Sequence, residues 1–150
     1  MEYPPILRLL IGALLILSAT PKASAGKAEL FPGPVQARVL DVLDGDTFLA
    51  EALVWPGHVV RINVRIRGID APEMRSRCED ERIAALQARD ALTGIMGSAG
   101  ISISNIGSAK YYGRVLADVA TGQGESVAPI LLRRALVRGY DGGKRESWCG

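Results

Sequence analysis

VVRINVRIRGIDAPE, residues 59–73, sets the reading of this chain. Up to Arg67 the residues alternate: Ile62, Val64 and Ile66 would face one way, and Arg61, Asn63, Arg65 and Arg67 the other. That period of two predicts a strand with one buried face. Gly68 to Cys78 then reads as a loop in which Asp70 and Glu73 flank Pro72, five and eight residues beyond Arg65. An arginine-bearing strand thus ends by turning two carboxylates back towards it.

Working outward, Val35 to Val42 and Thr47 to Leu53 are strand-like, separated by Leu43-Asp44-Gly45-Asp46, a hairpin signal. Glu79-Asp80-Glu81 opens a helix with acid at its positive end, and Ala84, Ala88, Ala91, Leu92 and Ile95 form its apolar stripe. Ile101 to Ile106 alternates as a strand, and Val115, Ala117 and Val119 alternate in another. Val127 to Val137 reads as a short helix carrying Ile130, Leu131 and Leu136. Three strands, a helix, two strands and a helix predict an α+β fold: a small five-stranded OB-fold Greek-key β-barrel with two helices packed on it. Another small α+β sandwich is the alternative.

The N-terminus differs from the rest. Leu9 to Ala19 is apolar, follows Arg8, and precedes Ala23-Ser24-Ala25. It is short for a membrane span, and the small residues suit a cleavage site. The expectation is a signal peptide over 1–25, an extended lead-in over 26–34, and one domain over 35–150. An exported chain, secreted or periplasmic, follows. A retained anchor would be its one link to a membrane. Cys78 and Cys149 are the two cysteines, and an even count in an exported chain suggests a disulfide. His58 lies in WPGHV as a surface residue, which leaves too few soft ligands for a zinc site.

The full chain carries a net charge of +2, so bulk charge gives no argument for nucleic acid. The kind of base is more informative, because fourteen of the eighteen basic residues are arginine. Arginine matches phosphate and carboxylate bidentately, although a GC-rich genome would also favour it. Asp44, Asp46, Asp70 and Glu73 are hard oxygen donors that suit calcium or magnesium if the loops converge. Each feature also has a plainer reading. Asp44-Gly45 fits a type I′ turn, Asp70 and Glu73 fit turn chemistry around Pro72, Arg65 and Arg114 fit a solvated strand face, and Tyr111 and Tyr112 fit packing at a barrel rim.

Taken in order, DGDT (44–47), R-x-R-G-I-D-A-P-E (65–73) and Y-G-R (112–114) resemble the staphylococcal nuclease (thermonuclease) family over roughly residues 35–137. That resemblance implies a calcium-dependent endonuclease acting on DNA or RNA and leaving 3′-phosphate ends. It implies Asp46 and Asp70 as ligands of one calcium ion, with Asp44 in its outer shell. Glu73 would act on the attacking water. Arg65 would bind the scissile phosphate and Arg114 its transition state. Tyr112 would contact the bound nucleotide, with Tyr111 beside it. No stable protein partner is implied, and a monomer is expected. A barrel that holds single strands without cutting, or a calcium-stabilised envelope protein, is the alternative.

The chain also departs from that pattern. Ala71 replaces a threonine whose metal contact is through the backbone carbonyl. Tyr111 stands where a lysine usually does. A short tail replaces a third helix, so Tyr140 has no assigned stacking role.

Overall fold

The computed structural model describes residues 30–150. The expected signal segment and the first four residues of the lead-in lie outside them. Strands β1 (Val35–Val42), β2 (Thr47–Trp55), β3 (His58–Ile66), β5 (Ile101–Ser108) and β6 (Arg114–Thr121) close into a barrel in the order β1-β2-β3-β6-β5. Every pair is antiparallel except β3–β6, which runs parallel with Arg65 opposite Leu116. A parallel pair needs a long crossover. Helix α1 (Glu79–Met96) and β5 supply it, and α2 (Val127–Arg133) follows β6. This is the expected five-stranded OB-like barrel with two helices.

The alternation read from the sequence fills the barrel. Phe48, Val64, Ile66, Ile101 and Ile103 are buried together, with Leu92 and Leu131 brought by the two helices. Alanines at 37, 50, 52 and 117 take the inward positions where the barrel leaves little room. Phe31 and Ile106 exchange backbone hydrogen bonds of 2.8 and 2.7 Å, so the end of the lead-in lies along β5.

Four local readings change. The α1 stripe is displaced: Glu81, Ala85, Ala88, Leu92 and Met96 are its buried residues, while Ala84, Ala91 and Ile95 are half-buried. Helix α2 stops at Arg133, four residues short of the expected Val137. Its end is a Schellman turn, with Leu136 N–H donating to Leu131 O at 3.2 Å and Ala135 N–H to Leu132 O at 3.0 Å. Ala135 takes φ 55°, which lets Val137 return to the core. Residues 68–78 are not all loop. Ile69–Asp70 forms a two-residue strand, β4, paired with β7 (Arg138–Gly139).

The Leu43–Asp46 connection is not a type I′ turn. That turn needs positive φ at both central residues, and Gly45 is absent from the positive-φ glycines. Instead Asp46 N–H donates to Asp44 Oδ1 at 2.9 Å, and the amides of Leu43 and Asp44 both reach Thr47 O. Gly45 is needed for a different reason. A Cβ there would lie 2.6 Å from the Ala88 Cβ of α1 and 2.9 Å from the Ala71 Cβ. Neither methyl can rotate away. Gly45→Ala should therefore lower unfolding stability by about 1–3 kcal/mol, the usual cost of overpacking. Denaturant unfolding followed by circular dichroism measures it.

Candidate functional site

Strand β3 delivers Arg65, and the hairpin before it delivers Asp46. Ile66 N–H donates to Asp46 O at 2.8 Å, which fixes the end of β3 against the β1–β2 connection. Gly68, at φ +80°, then reverses the chain, and β4 runs back beneath the arginine. The Arg65 guanidinium donates to Asp46 Oδ1 at 2.5 Å and to Asp70 Oδ1 at 3.3 Å, so one side chain bridges both carboxylates. It also donates to Ile69 O at 3.3 Å. Asp46 and Asp70 are buried, at 2% and 4% exposure. A buried carboxylate without a cation would be costly, so this pairing helps to hold the loop.

Asp46 accepts two more hydrogen bonds, from Thr47 Oγ1 at 2.8 Å and from Ala71 N–H at 2.9 Å. Burial and the neighbouring charge of Asp44 nevertheless push its pKa up to about 7, against the pull of Arg65 and those hydrogen bonds. The folded carboxyl therefore holds its proton more readily than the unfolded one. This adds to stability at low pH and is lost as pH rises from the usual carboxylate range through about 7. A further cation beside Asp46 would relieve that burden.

Glu73 is exposed beyond Pro72, and its N–H donates to Glu81 Oε1 at 3.0 Å. Glu81 also accepts from Ser76 Oγ at 2.5 Å. That bond, helped by the Glu73 amide, holds the Glu81 carboxyl below its usual range despite burial. Glu81, on the first turn of α1, thus braces the loop that carries Glu73. Cys78, immediately before α1, is bonded to Cys149, 71 residues away.

Arg114 starts β6 opposite Asn63, two residues along from Arg65 in the parallel pair. Its guanidinium lies 5.7 Å from the Tyr111 ring centroid, and Lys110 Nζ lies at 5.7 Å too. Arg114 makes no ion pair among the described residues. A cavity of about 870 Å³ has Asp44, Arg65, Glu73, Tyr111, Arg114 and Tyr140 in its wall. Tyr112 is fully exposed and is not part of that wall. It lines an adjoining groove with Phe31, Tyr111 and Arg114. Of the two adjacent tyrosines, Tyr111 is therefore the one that faces both spaces.

The expected site residues divide accordingly. Arg65, Arg114, Glu73 and Asp44 share a cavity, and Asp46 and Asp70 lie against Arg65. Two participants escaped the sequence reading, Phe31 and Arg145, and Tyr140, which was given no role there, lines the cavity. Arg145 Nε is 2.7 Å from Asp70 Oδ1, its Nη2 donates to Ala71 O at 2.8 Å, and its Nη1 pairs with Glu73. Burial works against its charge, but the hydrogen bonds to Glu73 and Asp70 outweigh this and raise its pKa further. The signal for Arg145 was present. Joining Cys149 to Cys78 brings a residue four before one cysteine near a residue five before the other.

The donors Asp46, Asp70 and the Ala71 carbonyl are all hard oxygens, the chemistry of a calcium site. Among the described residues, however, the one trio of His, Cys, Asp or Glu with ligand atoms within 4.8 Å of one another is Cys78, Glu81 and Cys149. Its two sulfurs are spent on the disulfide. The acidic oxygens near Arg65 are instead held by guanidinium groups. No family model matches the chain, and no curated protein matches it significantly.

Proposed function

We infer that this protein is a calcium-dependent nuclease that hydrolyses phosphodiester bonds of DNA or RNA. The observation that carries this reading is the shared cavity, lined by Glu73, Asp44 and two arginines from parallel strands, Arg65 and Arg114, of which Arg65 also pairs with two buried carboxylates. Asp46, Asp70 and the Ala71 carbonyl would hold the ion, with Asp44 outside them. When bound, it would offset negative charge on the phosphate.

The chain's own groups do the rest. Glu73 is exposed enough to accept a proton from an attacking water. Arg114 can donate to the equatorial oxygens as charge builds on them, and Arg65 can hold the phosphate from the β3 side. The P–O5′ bond would break, leaving a 3′-phosphate. The motif resemblance supports the same reading.

The groove beside the cavity favours one alternative, a barrel that holds single strands without cutting them. Phe31 and Tyr111 are 61% and 59% exposed there, and Tyr112 is free of packing. Exposed rings next to cations form stacking platforms for bases. One experiment separates the two readings. Purified protein incubated with single-stranded DNA should cut it in calcium and stop in chelator. Asp46→Ala and Asp70→Ala should each abolish cutting. Cutting that persists in excess chelator overturns the calcium role, and retention of DNA without cutting selects the binding barrel.

A further inference from the structure

We propose that the C-terminal tail is a strap that seats Arg145 as a resident cation on the acidic site, in competition with calcium, and that the Cys78–Cys149 bridge holds the strap down. The proposal rests on the calcium reading for the identity of the competing ion. It goes beyond that reading in assigning the competitor and its tether.

The contacts of Arg145 are those of a cation in a seat. Its guanidinium meets the Asp70 carboxylate, the Ala71 carbonyl and the Glu73 carboxylate at once. Asp70 and the Ala71 carbonyl are hard-oxygen donors that calcium would need. A guanidinium and a divalent ion brought against the same oxygens repel each other and compete for the same lone pairs. Calcium must displace Arg145 from them, and doing so also releases Glu73.

The tail reaches the site through two attachments. On one side, β7 pairs with β4, placing Arg138 opposite Asp70, and Tyr140 N–H donates to Gly68 O at 2.9 Å. The chain then reverses through Asp141–Gly143, where Tyr140 Oη donates to Gly143 O at 2.8 Å. On the other side, Cys149 is bonded to Cys78. Arg138 stacks on the Trp148 ring at 3.9 Å and donates to Ser147 O at 2.9 Å, closing the loop on itself. Arg145 lies between these attachments.

The strap is built to move. No residue after Val137 belongs to the buried core. Beside the Arg145–Glu73 pair, Glu73, Glu81 and the tail residues Lys144 to Trp148 line a cavity of about 740 Å³. The tail can therefore lift without unpacking the barrel, as expected of segments with few buried contacts.

Calcium affinity, measured by isothermal titration calorimetry, tests the proposal without recourse to turnover. Arg145→Ala should bind calcium about 10-fold or more tightly than the unaltered protein, since two of the displaced contacts, to Asp70 and Glu73, join charged groups. Reducing the disulfide should also tighten binding, by a smaller factor because the Arg138–Trp148 stack and the β4–β7 pair remain. In Arg145→Ala, reduction should change the affinity little, because the bridge acts through Arg145. Circular dichroism checks folding in each case. If reduction unfolds the chain, Arg145→Ala alone decides the competition. Equal or weaker affinity in folded Arg145→Ala overturns the proposal and leaves the nuclease reading standing. An equal effect of reduction with and without Arg145 overturns the strap. Absence of calcium binding in every form overturns both this inference and the calcium reading.

Discussion

Glu73→Gln should lower turnover on a short single-stranded oligonucleotide by about 10²–10⁴-fold, while KM moves far less. Glutamine keeps the size and loses both charge and basicity. The position favours a role in chemistry over one in folding. Glu73 is exposed, contributes nothing to the core, and is held through its backbone amide by Glu81. The substitution leaves that amide in place, so the loop should keep its shape. One complication is built into the site: the Glu73 carboxylate pairs with Arg145. Removing its charge also loosens the strap, which by itself would favour calcium. The decisive comparison therefore uses an Arg145→Ala background. If Glu73 acts on the attacking water, Glu73→Gln keeps its full cost there. Steady-state kinetics at saturating calcium provide the measurement. A turnover within a few-fold of the parent in both backgrounds would remove Glu73 from the mechanism.

The barrel was legible because it rests on period-two alternation, and Val64, Ile66, Ile103 and Ala117 all face inward as that pattern requires. The α1 face was less so. Alanines at both 84 and 85 give the stripe little contrast, and the helix register follows the close approach of Ala88 to Gly45. Asp44-Gly45 has the composition of a tight hairpin turn, yet the glycine is there to admit a helix. That constraint comes from residues 26 and 43 positions further on and leaves no local trace. The tail was the hardest part. β4 and β7 have two residues each, too few to show a period, and GYDGGKRESWCG reads as a polar terminus. Long-range pairing and one disulfide place Arg145. At the site, Arg65, Asp46 and Asp70 were legible as motif residues, but their mutual salt bridges were not. Tyr111 and Tyr112 are adjacent in a loop, where no periodicity says which ring faces the cavity.

Arg114→Lys should lower kcat and kcat/KM about equally, by roughly 10²–10³-fold. Equal losses are the mark of an interaction made only in the transition state. Lysine keeps the positive charge but loses the planar fork, so a loss of this size would show that geometry outweighs charge. The two arginines are not equivalent as tests. Arg65 is committed to Asp46, Asp70 and the Ile69 carbonyl. Replacing it leaves buried carboxylates underpaired, so Arg65→Lys should weaken folding and substrate binding as well as turnover. Arg114 has no ion-pair partner among the described residues, and its guanidinium lies 5.7 Å from the Tyr111 ring centroid. Its replacement should leave the fold and the calcium affinity unchanged, which isolates the chemical step. Tyr111 supplies an internal control, because Tyr111→Ala removes the ring beside Arg114 without touching its charge. If that ring only steadies the guanidinium, its loss should cost much less than Arg114→Lys. A folded Arg114→Lys protein with near-parental turnover would leave Arg114 as a solvated strand arginine, and the transition-state charge would then have to be met by Arg65 and the ion alone.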